Sequence, residues 1–169
     1  MNIRKAQPSD TQAILDIYTP FIKDSPATFE TEIPSLPDFQ ARIDQIQLNM
    51  PWIIAEVDGK IIGYAYSNDH RKRDCYRWTK ELSVYLLPEA KGQGIAVKLY
   101  DELINQLQDL GINTVLAGIT LSQEQSIKFH DKYGFKKIGV YRSVGFKNGQ
   151  WHDVGWWELN IGNDKTPVN

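Results

Sequence analysis

The stretch Pro88-Glu89-Ala90-Lys91-Gly92-Gln93-Gly94-Ile95-Ala96 lies between two segments of different period. Before it, Leu82-Ser83-Val84-Tyr85-Leu86-Leu87 reads as an apolar strand. After it, Ala96, Leu99, Leu103, Leu107 and Leu110 recur at three- and four-residue steps. That spacing predicts an amphipathic helix, closed by Gly111 at its C′ position. Two glycines between a strand and a helix either tighten the connection or let backbone approach a ligand closely. A P-loop needs a Lys-Ser/Thr pair after its second glycine, and Ile95-Ala96 stand there instead. A dinucleotide fingerprint needs a third glycine, where this chain has Val97. What remains is a helix N-terminus with bare backbone N–H groups, a setting that suits an anion. Lys91 adds one positive charge. The expected ligand therefore carries phosphate and needs neither magnesium nor a catalytic lysine.

The elements on either side follow from period and punctuation. Residues 2–6 read as a strand, and Pro8-Ser9-Asp10 as a turn into a helix over 10–23 carrying Ile14, Ile17, Tyr18 and Phe21. Residues 25–34 read as a loop with an extended piece at Thr28-Phe29-Glu30, and 36–48 as a second helix. Asp58-Gly59 predicts a hairpin between strands 52–57 and 60–66. A basic exposed stretch, 70–73, precedes a long strand over 76–87. Beyond the 96–110 helix come a strand at 114–119, a helix at 123–133 ended by Gly134, and strands 135–146 and 151–159 joined at Asn148-Gly149. A loose tail, 161–169, is expected. The order β-α-α-β-β-β-α-β-α-β-β predicts an α/β (α+β) fold, one domain over 1–169, with a mixed sheet and helices on both faces.

Totals narrow the function. A net charge of -2 gives no support for nucleic-acid binding by bulk electrostatics. The single cysteine, Cys75, excludes an intrachain disulfide or a multi-cysteine zinc site. His70, His130 and His152 lack metal-ligand spacing, so no metal is expected. No run has the length of a signal or membrane segment, and a reducing cytoplasm is the simplest location.

The residues then carry a resemblance. Lys91-Gly92-Gln93-Gly94-Ile95-Ala96 resembles the Gln/Arg-x-x-Gly-x-Gly/Ala turn of the GNAT N-acetyltransferases. Ala27-Thr28-Phe29-Glu30, Pro51-Trp52-Ile53-Ile54-Ala55-Glu56, Trp78-Thr79-Lys80-Glu81-Leu82-Ser83-Val84-Tyr85, His130-Asp131-Lys132-Tyr133-Gly134-Phe135 and Gly145-Phe146-Lys147-Asn148-Gly149-Gln150-Trp151-His152-Asp153-Val154 are similar to its phosphinothricin N-acetyltransferase branch, in that order. The resemblance implies the GNAT fold, with splayed central strands, and acetyl-CoA as co-substrate. It places the pyrophosphate on Lys91, Gly92, Gln93, Gly94, Ile95, Ala96 and Val97. It lays pantetheine along the backbone of Val84, Tyr85 and Leu86, with Gln123, Ser126 and Lys132 at the acetyl or CoA end. Lys91 stands where the family has Gln or Arg, and Gln123 where the branch has Asn.

Acetyl transfer to an amine needs a deprotonated amine, and a carboxylate can take that proton directly or through water. Alternation puts Thr79, Glu81 and Ser83 on one strand face and Lys80, Leu82 and Val84 on the other. Glu81 is the base the resemblance implies; its plain alternative is a solvated strand glutamate. A backbone N–H near Val84-Tyr85-Leu86 suits the oxyanion. His130 stands where many relatives have a Tyr acid for the departing thiolate; its plain alternative is a packing or capping histidine. Tyr133 reads as core beside a helix stop, and Cys75 as a passive thiol.

For the acceptor, the branch implies a small amino acid or analogue such as phosphinothricin, methionine sulfone or methionine sulfoximine. Arg73 and Tyr76 match its Arg-x-x-Tyr. Phe29, Glu30 and Trp52 are expected walls, with Glu81 and Gln123 beside the acceptor, and with Trp151 and His152 from a partner subunit in a homodimer. Trp156 and Trp157 read as core. Two other activities fit the same residues, a protein or peptide N-acetyltransferase and a non-catalytic acetyl-CoA-binding module.

Overall fold

The computed structural model describes residues 1–162. In chain order its elements are β1 (Asn2–Lys5), α1 (Thr11–Asp24), α2 (Leu36–Gln47), β2 (Trp52–Val57), β3 (Lys60–Asp69), β4 (Thr79–Leu86), α3 (Ile95–Asp109), β5 (Thr114–Thr120), α4 (Glu124–Tyr133), β6 (Lys136–Lys147) and β7 (Gln150–Asn160). The strands form one seven-stranded sheet in the order β1-β2-β3-β4-β5-β7-β6. Only β4 and β5 run parallel; every other neighbouring pair is antiparallel. Both hairpin turns, Asp58-Gly59 and Asn148-Gly149, have positive φ at both residues, as the twist of the flanking strands requires.

Strand alternation sorts the apolar side chains into two cores. Ile53, Ala55, Ala65, Leu82, Val115, Ala117 and Trp157 face the Ile95, Leu99, Leu103 and Leu107 stripe of α3 and the inner side of α4. Trp52, Ile54 and Tyr64 face Ile14, Ile17, Tyr18 and Ile22 of α1, and Phe39 and Ile43 of α2. Each such large side chain removed from water stabilises the fold by about 1.5–3 kcal/mol. The helices therefore cover both faces.

The central strands part early. Parallel pairing of β4 with β5 comprises Thr79 with Thr114, Lys80 with Val115 and Glu81 with Leu116. Beyond them β4 continues against β3 to Leu86, and β5 continues against β7 to Thr120. The facing edges at residues 82–86 and 117–120 thus have no ladder between them, which leaves backbone groups for another partner.

Boundaries differ from the sequence reading, and β3 runs to Asp69 rather than ending at 66. Residues 76–78 are not strand: Tyr76 and Arg77 donate backbone bonds to Arg73 and Asp74 at 2.9 and 3.0 Å, forming a 3-10 turn over Asp74–Tyr76. Residues 28–30 lie in a loop, as read, and there the Thr28 hydroxyl takes the Glu30 N–H at 3.3 Å. The chain does not loosen at 161: Ile161 is buried, and its N–H and that of Gly162 bond the Asn113 carbonyl at 2.8 and 3.0 Å. The rest of the expected loose tail, 163–169, lies outside the described residues.

Candidate functional site

The gap between β4 and β5 is a cleft of about 310 Å³, within the size range of small-molecule sites. Its walls include residues 82–86 and 117–120, Lys91, Gly92, Ala96 and Tyr100 before and in α3, and Gln123, Ser126, Phe129 and His130 at α4. The structure therefore gathers Val84, Tyr85, Leu86, Lys91, Gly92, Ala96, Gln123, Ser126 and His130 around one space. Gln93, Gly94, Ile95 and Val97 complete the turn beside it without lining it, and Ile95 is buried beneath. Lys132 is exposed on α4, outside the lining.

The turn is built for a backbone contact. Gly92 and Gly94 both have φ +75°, a conformation L side chains rarely adopt. A Cβ at either position would meet no protein atom within 4 Å, so φ rather than crowding selects glycine and the space outside stays open. The Gln93 amide donates to the Glu89 carbonyl at 2.6 Å and closes the turn from behind. Gly94 is the N-cap of α3, and no side chain caps its first N–H groups. Those groups and the helix dipole favour an anion. The Lys91 ammonium stands at the rim, 5.8 Å from the centre of the Phe21 ring.

His130 is buried at 4% exposure, and its two ring nitrogens are both engaged. Nδ1 lies 2.7 Å from the Ser126 carbonyl, which can only accept, so Nδ1 carries the proton. Nε2 then accepts from the Tyr100 hydroxyl at 3.1 Å. Burial pushes the His130 pKa down, against the opposing pull of the Ser126 carbonyl, and burial raises that of Tyr100. Both are therefore neutral near pH 7, and both side chains border the cleft. Sequence reading missed Tyr100, although it sits on the apolar stripe of α3, four residues after Ala96 and three before Leu103. Tyr133 is occupied elsewhere, donating to Asp101 at 2.7 Å.

Glu81 is the last β4 residue of the parallel ladder. As alternation predicts, Lys80 and Leu82 are buried while Glu81 and Ser83 stay partly exposed. The buried Lys80 ammonium turns away to Asp69 at 2.5 Å. Glu81 Oε1 lies 2.7 Å from Nδ1 of His70, a residue the sequence placed on a basic exposed stretch. The two are eleven residues apart, and only the antiparallel return from β3 into β4 brings them together.

Of the acceptor candidates, Gln123 borders the cleft, whereas Phe29, Glu30, Arg73, Tyr76 and Glu81 lie outside its lining. Glu30 accepts from Arg42 Nη1 at 2.6 Å and from the Tyr18 hydroxyl at 3.1 Å. Phe29 is exposed on the 25–34 loop and lies against Gly145. A Cβ at Gly145 would fall 2.3 Å from the Phe29 ring, so glycine there is required by contact. Arg73 and Tyr76 are exposed on the segment before β4, with the Tyr76 ring 6.0 Å from that of His70.

Two expected wall residues are elsewhere. Trp52 is 1% exposed and stacks on Tyr66 and Tyr64 at 4.2 and 5.6 Å, because alternation along β2 turns it into the α1–α2 core. His152 is buried in its own chain, with Nε2 donating to the Lys147 carbonyl at 3.1 Å, and is not available to a partner's site; Trp151 is exposed. Trp157 is core, as expected, and its indole N–H donates to Asp131 at 2.7 Å. Trp156 is only partly buried and reaches His70. Among the described residues no cluster of His, Cys, Asp and Glu could hold a metal ion, and no helix is long and apolar enough to cross a membrane.

The chain is similar in sequence and fold to known proteins. The family model described as an acetyltransferase (GNAT) domain matches residues 3–156. The phosphinothricin N-acetyltransferase of Alcaligenes faecalis is 35% identical, over 98% of this chain and 86% of its own. The L-methionine sulfoximine/L-methionine sulfone acetyltransferase of Salmonella typhimurium is 31% identical, over 99% of this chain and 98% of its own. A crystal structure of a GNAT phosphinothricin acetyltransferase from Sinorhizobium meliloti in complex with acetyl-CoA superposes with a TM-score of 0.93, at 33% identity, covering 99% of this chain and 92% of that one.

Proposed function

The chain belongs to the GNAT acetyltransferase family, and from that membership we propose that it acetylates the amino group of a small amino acid or analogue, of the phosphinothricin, methionine sulfone or methionine sulfoximine type, by direct transfer from acetyl-CoA in a ternary complex. The observation that carries this reading is the end of the parallel ladder at Glu81 and Leu116. There the cleft that fits the donor begins, beside a carboxylate that can receive an amine proton.

The residues fit the donor. Gly92, Gly94 and the uncapped start of α3 hold the pyrophosphate through backbone N–H groups, with Lys91 adding charge at the rim. The unpaired edge of β4 at Val84 to Leu86 takes the pantetheine amides like an added strand. Glu81 removes the amine proton. Tyr100 supplies its hydroxyl proton to the departing thiolate by turning from His130 Nε2, so His130 acts by holding the phenol in place beforehand. Gln123 and Ser126 border the acetyl end. Phe29, Glu30, Arg73 and Tyr76 contact the acceptor, with Arg73 on its carboxylate.

We also read the chain as a homodimer working in a reducing cytoplasm. The edge strand β6 exposes Ile138, Tyr141, Val144 and Phe146 at 52, 49, 52 and 58%, and the start of β7 exposes Trp151 at 64%. Such an apolar edge favours pairing with a second copy. Sedimentation at micromolar concentration checks the dimer; a monomer throughout would remove it.

The activity is tested by thiol release from acetyl-CoA with methionine sulfone, methionine sulfoximine, phosphinothricin and a peptide panel. Release with the small amino acids supports the reading. Release with peptides alone overturns the substrate class, and acetyl-CoA binding without release for any amine overturns catalysis.

A further inference from the structure

The His70–Glu81 contact lies outside the donor cleft and has no role in the scheme above. An ionised carboxylate only accepts, so His70 Nδ1 carries the proton in this 2.7 Å bond. The bond engages Oε1, and among the described residues no second side chain bonds this carboxylate. Glu81 is partly open, with 37% of its side chain exposed against 17% for His70. A glutamate on a strand has three rotatable bonds, and among the described residues no other hydrogen bond holds its head.

The histidine itself is held. Its ring meets Tyr76 edge-on at 6.0 Å and 72°, and Trp156 edge-on at 5.8 Å and 73°. Trp156 faces Gly118 across the β5–β7 ladder. A Cβ at Gly118 would lie 3.2–3.4 Å from three atoms of that indole, so glycine lets Trp156 settle over β5 toward His70. A chain of contacts thus runs from Gly118 through Trp156 to His70 and Glu81.

We propose that His70 is a positioning residue for acetyl transfer: its Nδ1–H bond to Oε1 fixes the Glu81 carboxylate at the end of the β4–β5 ladder and leaves Oε2 for the acceptor amine. The proposal rests on Glu81 as the proton acceptor. No bond is made or broken at His70; it acts by holding the base where the amine arrives.

The test uses the full chain, acetyl-CoA and the acceptor giving fastest thiol release. His70→Phe keeps a ring between Tyr76 and Trp156 but removes the donor. His70→Asn loses the ring but places an amide N–H near the Nδ1 position. His70→Phe should lower kcat by about 10²-fold while acetyl-CoA affinity, read by calorimetry, stays within about twofold. His70→Asn should recover most of that loss. In the double variant with Glu81→Gln, the His70 change should add nothing further, since it acts through the carboxylate. Three results overturn the proposal: His70→Phe at the wild-type kcat, His70→Asn impaired as much as His70→Phe, or a multiplicative loss in the double variant. Wild-type turnover in Glu81→Gln alone overturns the base itself, and so separates failure of that reading from failure of this one.

Discussion

Glu81 and Leu116 are the last facing pair of the only parallel ladder among the described residues. One residue further along, the strands no longer pair, and the cleft opens between them. The carboxylate therefore stands where the cleft begins, as the proposed role of Glu81 requires. Substituting Glu81→Gln keeps the volume and removes the base. Turnover near neutral pH should fall by about 10²-fold or more, with acetyl-CoA affinity unchanged. The deficit should narrow in alkali, where the amine loses its proton to solvent. A pH–rate profile parallel to that of the parent would remove Glu81 from this role.

The glycine turn gives a prediction of the opposite kind. Gly94→Ala forces an L residue into φ +75° at a cost of about 1–2 kcal/mol. Its methyl group meets no protein atom but enters the open space outside the turn. Acetyl-CoA should bind about tenfold or more weakly, while the acceptor KM changes little. Calorimetry with CoA checks this, and undiminished affinity would mean that the pyrophosphate lies elsewhere.

Phe29 and Gly145 give a handle on the acceptor side alone. Gly145→Ala places a methyl carbon 2.3 Å from the ring, so Phe29 must move. The strain should cost about 1–3 kcal/mol in a urea titration. The acceptor KM should rise, and the acetyl-CoA KM should not. Equal changes in both would show that Phe29 does not contact the acceptor.

His130 links the site to stability. Burial holds its folded pKa below the ordinary 6.5. Between those two values the unfolded chain binds a proton that the folded chain refuses. Stability is thus fully present above about pH 6.5 and declines as pH falls through that value toward the lowered pKa. Urea unfolding at about pH 7.5 and about pH 5.5 should show the loss, and His130→Gln should reduce it. The same pH dependence in variant and parent would assign it to other groups.

Lys147 anchors the wall that carries Phe29. It is 3% exposed, yet its ammonium donates to the carbonyls of Phe21, Ser25 and Thr28 at 3.3, 2.7 and 2.7 Å. Lys147→Met removes three bonds from buried carbonyls and should destabilise by about 1–3 kcal/mol. Proteolysis within 25–34 should speed up in the variant; unchanged cleavage would show that the loop is held otherwise.

What was legible in the sequence was whatever period and turn chemistry dictate. The alternation of β4, the α3 stripe and the Asp58-Gly59 and Asn148-Gly149 turns are local signals, and the order of elements followed from them. The glycine turn was readable because a positive φ is a local demand. The start of β4 was misplaced because Tyr76 and Trp78 extend an apolar pattern that local 3-10 bonds interrupt. Trp52 was misassigned because its type suits a pocket as well as a core, and only the register of β2 against β3 turns it inward. His70 with Glu81, Tyr100 with His130, and Phe29 with Gly145 are separated by 11, 30 and 116 positions. No spacing rule joins such pairs; they meet through strand return, helix packing and a loop crossing the sheet.

The cradle at Gly92 and Gly94 has an evolutionary consequence. In the proposed scheme it grips with main chain, which most substitutions leave unaltered, whereas the proposed acceptor side is made of side chains on loops and at strand ends. Mutational drift can therefore remodel which amine is accepted while the grip on the donor persists. A chain of this design can change its customer without relearning its currency.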